Sequence, residues 1–104
     1  MQFLYKIQPV RPELLTTGPT EDEKKIIAQH FSYLKALMNK EIVIQAGRTL
    51  NTDASSFGIV IFNSESAEAA DQILHEDPAV KNNIFTGEIF PYRIALLNEG
   101  NLKE

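Results

Sequence analysis

The pattern of apolar and polar positions at the start of the chain changes from a strand period to an irregular stretch. Residues 2–8, "QFLYKIQ", place Phe3, Tyr5 and Ile7 at every second position, which predicts a β-strand. The following stretch, residues 9–20, contains three prolines and one glycine. Because these residues interrupt regular structure, the stretch is predicted to be an irregular loop.

A capping box marks the start of the first predicted helix. Thr20 is followed three residues later by Glu23, the spacing at which each side chain caps the other residue's backbone N–H. At about 100° per residue, the apolar side chains that follow share one face of a helix. The members of this stripe are Ile26, Ile27, Leu34, Leu37 and Met38. His30 falls inside the stripe.

Two further strands, a second helix and a last strand are predicted after this helix. Residues 41–50, "EIVIQAGRTL", and 57–63, "FGIVIFN", flank a polar turn, which predicts a hairpin with a loose loop. Residues 66–76, "SAEAADQILHE", have a helical period. Residues 87–97, "GEIFPYRIALL", predict a final strand, in which Pro91 is acceptable only at a sheet edge or a bulge.

The predicted order β-α-β-β-α-β is that of the ferredoxin-like fold. In this α+β architecture, two helices cover one face of a four-stranded antiparallel sheet, and residues 1–104 are expected to form one such domain. The other face of an antiparallel sheet usually carries polar residues. Here "GIVIF" is apolar at every position and the last strand is apolar on both sides. Since no third helix is predicted to cover that face, we expect a homodimer that stacks sheet on sheet, or a higher oligomer.

Composition and charge argue against several classes of function. The net charge is −4 and the ten basic residues are scattered, so nucleic acid is not expected as a partner. No apolar run approaches the roughly 20 residues that cross a bilayer, and the N-terminus lacks signal-peptide features. No membrane association is therefore expected, and the predicted location is cytoplasmic. Without cysteine, the chain has no disulfide, no thiolate nucleophile and no cysteine-based metal site.

His30 and Asp77 are the candidate catalytic residues. A histidine on a core-facing stripe needs partners for both ring nitrogens, and it is either a satisfied structural group or a general acid or base. Asp77 precedes Pro78, which is typical of an N-cap before a short helix, and capping alone could explain it. Asp77 also follows a predicted helix C-terminus, where a negative charge is disfavoured unless a cation such as imidazolium lies nearby. We therefore expect His30 and Asp77 to form a contact pair.

Four further side chains are candidates for binding a small-molecule substrate: Arg48, Tyr5, Tyr92 and Arg11. Arg48 falls on a predicted strand face with Ile42, Ile44 and Ala46, where it could anchor an anionic substrate or, as the pattern favours, pair with an acidic residue across a dimer. Each tyrosine could line a pocket or, as favoured, fill the core. Arg11 could cover the cavity, although a solvated surface role is favoured.

Other side chains give no sign of a cofactor or metal site. His75 lies two residues before Asp77 and points away from the inner stripe, so it is predicted to be solvated. The segment around it has no recognised metal-ligand spacing, and the five glycines form no phosphate cradle. We therefore predict no metal and no cofactor.

The sequence resembles the YciI-like family, also called the YCII-related domain family. The resemblance rests on the order and spacing of six segments over nearly the whole chain: "RPELLTTGPTEDE", "HFSYLK", "IQAGRTL", "FGIVIF", "EDPAV" and "FPYRIALL". It implies a ferredoxin-like fold, a dimeric α+β barrel joined through the sheets, and a site of one histidine and one aspartate, which map onto His30 and Asp77. One departure is "AGR" where many members have "AGP", so that Arg48 stands where proline is common.

Three functional hypotheses follow from these residues. The leading one is a small cofactor-independent enzyme, a lyase or isomerase, in which His30 moves a proton and Asp77 holds the ring. The resemblance adds that one related domain is a dechlorinating lyase. The second is a non-catalytic, dimeric metabolite-binding or accessory module with the same pocket. The third is a structural dimer in which the histidine and the aspartate only hold the helices together.

Overall fold

The fold contains four strands and three α-helices, as described for residues 1–103 by a computed structural model. The strands are β1 (Gln2–Pro9), β2 (Val43–Arg48), β3 (Gly58–Asn63) and β4 (Phe85–Tyr92), and the helices are α1 (Glu21–Asn39), α2 (Ala67–Glu76) and α3 (Pro78–Lys81). Neighbouring strands pair antiparallel in the order β2-β3-β1-β4. The predicted α+β, ferredoxin-like architecture is confirmed, with the short α3 added directly after α2.

The core lies between the helices and one face of the sheet. Its buried members are Phe3, Tyr5, Ile7, Leu34, Val43, Val60, Phe62, Ala70 and Leu74. They come from alternate positions of β1 and β3, from Val43 of β2 and from one stripe of each long helix, as the two periods predict. Burial of each large apolar side chain contributes roughly 1.5–3 kcal/mol, so these contacts hold α1 and α2 on this face.

The start of α1 agrees with the sequence pattern. The Glu23 N–H donates to Thr20 Oγ1 (3.2 Å), and the Thr20 N–H donates to Glu23 Oε1 (2.8 Å), which confirms the predicted capping box. The preceding loop is more ordered than predicted, because Pro12–Leu15 form a turn of 3₁₀ helix. At the other end of α1, Met38 lies at the edge of the predicted apolar stripe and is 51% exposed.

The last strand is displaced from its predicted position. β4 runs from Phe85 to Tyr92, and its residues pair one to one with Pro9 to Gln2 of β1. The prediction that the strand spans residues 87–97 is wrong, because its pairing with β1 ends at Tyr92, opposite Gln2, and residues 93–97 form no strand. Pro91 is accommodated because β4 is an edge strand.

A β-bulge in β2 changes the face on which Arg48 lies. The pairing with β3 shifts between Val43 and Gln45, so that Val43, Ala46 and Arg48 lie opposite Phe62, Val60 and Gly58. Those three β3 residues are every second residue of the strand, so they all lie on the helix-covered face. Arg48 therefore shares that face with Val43 and Ala46, and the predicted row with Ile42 and Ile44 is wrong because it assumed unbroken alternation.

The opposite face of the sheet, called here the outer face, is apolar at its centre. Leu4 of β1 lies between Ile61 of β3 and Phe90 of β4, and its neighbour Gln2 lies opposite Tyr92. Phe90 is 44% exposed and Tyr92 is 41% exposed. Among residues 1–103, no helix is long and apolar enough to cross a membrane.

The close approach of α2 to β4 generates a prediction about Gly87. A Cβ at Gly87 would lie 2.6 Å from Leu74 Cδ1, and Leu74 is buried. Gly87→Ala is therefore expected to destabilise the fold by about 1–3 kcal/mol, because Leu74 or the strand must shift. Denaturant unfolding measures the change.

Gly47→Ala is the matched control, because a Cβ at Gly47 meets nothing within 4 Å. It is expected to leave the free energy of unfolding nearly unchanged or to raise it slightly. Equal unfolding midpoints for the Gly87→Ala variant and the wild type would contradict this packing of α2 on β4.

Candidate active site

Asp77 occupies the single position between α2 and α3. Its backbone is extended (φ −61°, ψ 122°), which ends α2 and allows Pro78 to begin α3. Its Oδ1 accepts a hydrogen bond from the Ala79 N–H (3.0 Å), so the predicted N-cap role is confirmed. Capping is not its only role, because the same carboxylate contacts two distant side chains.

The Asp77 carboxylate is the centre of a buried hydrogen-bond network. It is fully buried, and Tyr5 Oη donates to its Oδ2 at 2.6 Å. His30 Nδ1 lies 2.7 Å from Oδ1 and 2.8 Å from Oδ2. The predicted contact between His30 and Asp77 is therefore confirmed. A buried charge is costly unless it is compensated, and here the Tyr5, His30 and Ala79 donors supply that compensation.

Tyr5 has a role that the sequence pattern did not reveal. Its ring packs edge-on against Phe62 (5.8 Å between centroids), as expected for a core residue. Its hydroxyl, however, donates to Asp77, which lies 72 positions away in the chain. Burial, followed by the charge of Asp77 and this hydrogen bond, raises the pKa of Tyr5 far above its ordinary value. The phenol therefore keeps its proton and is a fixed hydrogen-bond donor to the carboxylate.

The orientation of His30 leaves one ring nitrogen open. A carboxylate only accepts hydrogen bonds, so Nδ1 carries the hydrogen, and the lone pair of the neutral ring is on Nε2. Nε2 makes no hydrogen bond within residues 1–103, and no fully buried side-chain nitrogen in this part of the chain lacks a partner. Nε2 is therefore accessible. Phe85 packs edge-on against the ring, with 5.5 Å between centroids.

His30 lies on the wall of a cavity of about 580 Å³ between α1, the sheet and two loops. The residues that line it are mostly apolar and include Ile27, Leu34, Val60 and Phe85. Its lining also includes Phe31 and Leu50, which are 71% and 82% exposed and so place the cavity mouth at the surface. His30, whose Nε2 is accessible, thus lines a pocket large enough for a small organic molecule.

Of the predicted substrate-binding residues, only Arg48 lines this cavity. Tyr5 lies behind His30 in the buried network. Tyr92 lies on the outer face, opposite Gln2, and therefore points away from the cavity. Neither interpretation of Tyr92, as a core residue or as part of the pocket, agrees with the structure, because its side chain is 41% exposed on the outer face.

Arg11 is neither a cover for the cavity nor a free surface side chain. Its Nε and Nη2 donate to the two carboxylate oxygens of Glu23 at 3.1 and 2.5 Å, and Nη2 also donates to the Gly18 carbonyl at 3.1 Å. The hydrogen bond from Arg11, followed by the one from the Thr20 backbone, lowers the pKa of Glu23 to about 2. Arg11 thus fastens the first loop to the N-terminus of α1.

The remaining histidine is separate from the site. His75 is exposed, and its Nδ1 lies 2.9 Å from the Asp71 carbonyl, in agreement with its predicted solvated position. Within residues 1–103, no group of three or more His, Cys, Asp and Glu side chains is arranged to hold a metal ion.

The fold and the cavity define an α+β protein with a ferredoxin-like fold and a buried Tyr–Asp–His network beside a pocket. The sequence model of the YCII-related domain matches residues 1–93, and the chain belongs to that family. The resemblance drawn from the sequence segments is confirmed. No protein of curated function matches the chain significantly in sequence.

A solved structure also resembles this fold. It is the 5-chloro-2-hydroxyhydroquinone dehydrochlorinase from Burkholderia phenoliruptrix AC1100, in complex with 2,5-dihydroxybenzoquinone. The two structures align with a TM-score of 0.66 and 23% sequence identity, over 89% of this chain and 94% of the other. At this identity, the likeness establishes the shared fold.

The network around Asp77 generates a prediction about Tyr5. Tyr5→Phe is expected to destabilise the protein by about 1.5–3 kcal/mol near neutral pH, because it removes a hydrogen bond to a buried charge. Tyr33→Phe is the matched control, since the Tyr33 hydroxyl donates to the uncharged Ile73 carbonyl and is only partly buried. Its cost is expected to be about 0.5–1.5 kcal/mol. Denaturant unfolding of both variants makes the comparison.

The same variant changes the dependence of stability on alkaline pH. The pKa of Tyr5 is higher in the folded state than in the unfolded chain. The contribution of Tyr5 to the free energy of unfolding is therefore fully present below the ordinary tyrosine pKa of about 10 and is lost as the pH rises above that value. Above that pH, the free energy of unfolding should fall less steeply in Tyr5→Phe than in the wild type, by up to about 1.4 kcal/mol per pH unit. Parallel curves would contradict the buried donor role.

Proposed function

We propose that this protein is a small enzyme that uses His30 as a general acid and base on a small organic molecule, in a lyase- or isomerase-like reaction. The observation that carries the proposal is the asymmetry of the His30 ring. Nδ1 is held by the buried Asp77 carboxylate, whereas Nε2 has no partner within residues 1–103 and is accessible, and His30 lines a cavity of about 580 Å³. A ring fixed in one tautomer, with its free lone pair aimed at a pocket, suits proton transfer.

The proposed reaction begins with removal of a proton from carbon. Nε2 takes the proton as the C–H bond breaks, and the electron pair forms a new double bond in the substrate. In a lyase, this electron pair expels a leaving group from the neighbouring carbon. In an isomerase, no group leaves: the electron pair displaces the electrons of an adjacent double bond onto that bond's far atom, and Nε2–H returns the proton there or to another atom of the resulting anion. The imidazolium formed in between is stabilised by Asp77, which Tyr5 and Ala79 hold in place.

The structural neighbour supports the lyase form of the proposal. It is a dehydrochlorinase, an enzyme that removes a proton and a chloride from its substrate. The non-catalytic, metabolite-binding alternative requires the same cavity but no base. The hydrogen bonds from Tyr5 and Ala79 that fix Asp77 behind the ring favour catalysis, because binding alone needs no oriented Nε2 lone pair.

Exchange of substrate hydrogen for solvent deuterium tests this proposal without knowledge of the product. A panel of chlorinated hydroxyaromatic compounds and keto acids is incubated with the protein in D₂O and followed by NMR. The wild type is expected to exchange carbon-bound hydrogen in at least one compound. His30→Gln should lower that rate by about 10²–10⁴-fold, the usual contribution of a general base.

His75→Gln is the matched control, because it replaces an exposed histidine outside the cavity. It should keep the wild-type exchange rate, and circular dichroism should show that both variants are folded. Full exchange activity in His30→Gln would remove the catalytic assignment and leave the binding module as the better hypothesis.

The proposal includes a second copy of the chain on the outer face. Leu4, Ile61 and Phe90 form an apolar row there, and Lys6 lies directly opposite Glu88, so the nearby charges can neutralise each other. A two-fold axis through this face would bring identical apolar rows together. Such a dimer would bury the half-exposed Phe90 ring, whose exposure is otherwise unfavourable.

Phe90→Lys tests this assembly. A charge at the centre of the proposed interface should convert the dimer to a monomer in sedimentation experiments at micromolar concentration. Met38→Lys is the matched control, because it places the same charge at a half-exposed position on α1. A wild-type protein that sediments only as an 11.7 kDa species would contradict the proposed dimer.

A further inference from the structure

The cavity wall carries one full charge, and it is positive. Among the described residues that line the cavity, Arg48 is the only lysine or arginine, and no aspartate or glutamate lines it. The chain as a whole has the opposite balance, with 14 acidic and 10 basic residues. The charge in direct contact with the cavity is therefore positive in an acidic protein, while the carboxylate of Asp77 lies behind His30, and an anion that enters can meet the guanidinium of Arg48.

Arg48 has no carboxylate partner of its own within residues 1–103. The ion pairs of this part of the chain involve Arg11, Lys24 and the two histidines, and none involves Arg48. A guanidinium presents parallel donors that match a carboxylate in a bidentate pair. Because this group is unpaired at the wall of a largely apolar pocket, it is available to a bound ligand.

The position of Arg48 also argues against an ion pair across the proposed dimer. The bulge in β2 places Arg48 opposite Gly58, on the helix-covered face of the sheet. The second copy is proposed to cover the outer face, which lies on the other side. The interpretation favoured by the sequence pattern, a pair with an acidic residue of a partner, therefore lacks a partner surface on the side where Arg48 lies.

We infer that Arg48 anchors the carboxylate of the substrate, so that the natural ligand is an organic acid with an apolar, ring-sized body; this inference rests on the proposed function of the same cavity. The apolar wall formed by Ile27, Leu34 and Phe85 accommodates the carbon skeleton. His30 Nε2 then faces a carbon atom of the ligand while Arg48 holds its charged end. Arg48 sets substrate specificity, and His30 performs the proton transfer.

Benzoate and benzamide form the probe pair, because they share size and ring and differ mainly in charge. Binding is measured by calorimetry and by NMR shifts of the His30 ring. Wild-type protein is expected to bind benzoate roughly tenfold or more tightly than benzamide, as a charge-assisted pair should provide. Arg48→Gln should bind benzoate no better than benzamide. Arg93→Gln removes the same charge at an exposed position outside the cavity lining and should preserve the preference.

Three results would overturn the inference: equal benzoate affinity in the wild type and Arg48→Gln, no benzoate binding to the wild type, or dissociation of a wild-type dimer by Arg48→Gln. The last would assign Arg48 to a partner subunit. The outcome is separable from that of the acid/base proposal, because binding requires no turnover. Loss of benzoate binding in Arg48→Gln, together with full deuterium exchange in His30→Gln, would support carboxylate binding by Arg48 and contradict acid/base catalysis by His30.

Discussion

The need to compensate one buried carboxylate organises this molecule. Asp77 is fully buried, and its donors come from β1, α1 and the first turn of α3. Loss of any one donor is costly, because a buried charge that loses a hydrogen bond costs more than the bond contributes when it is made. The same contacts therefore fix α1 against the sheet and set the direction of the His30 ring. Stability and the proposed chemistry depend on one network.

The geometry of the network bears on the purely structural hypothesis. A histidine that only joined two helices would be expected to satisfy both ring nitrogens inside the protein. His30 satisfies Nδ1 with Asp77, its Nε2 has no partner within residues 1–103, and the residue lines a cavity whose mouth lies at the surface. The cavity owes its position to α1, which carries Ile27 and Leu34 one turn on either side of His30. A functional role explains this arrangement better than a structural one.

The sequence predicts those features that depend on local spacing. The caps of α1 and α3, the order of the elements and the pairing of His30 with Asp77 follow from residue types at fixed offsets and from one family resemblance. The hydroxyl of Tyr5 was missed, because a strand pattern shows which face a side chain takes but not what it meets 72 positions away. The row that joins Arg48 to Ile42 and Ile44 is wrong, because a bulge leaves no signal in an apolar run. The ion pair of Arg11 with Glu23 is also not predicted, because the capping box already accounts for Glu23 and the loop has no regular pattern that would show what Arg11 contacts.

Anion binding and proton transfer would support each other in this cavity. Proton transfer to Nε2 creates an imidazolium beside Asp77, and without a ligand it would add a second positive charge to a pocket that already contains Arg48. A bound carboxylate would pair with the guanidinium and so leave Asp77 to stabilise the imidazolium. Each positive group would then have its own anion in a partly desolvated site, where Coulombic interactions are stronger than in water. The base would therefore work best when an acid substrate occupies the cavity, which would make the charge of the ligand part of the catalytic arrangement.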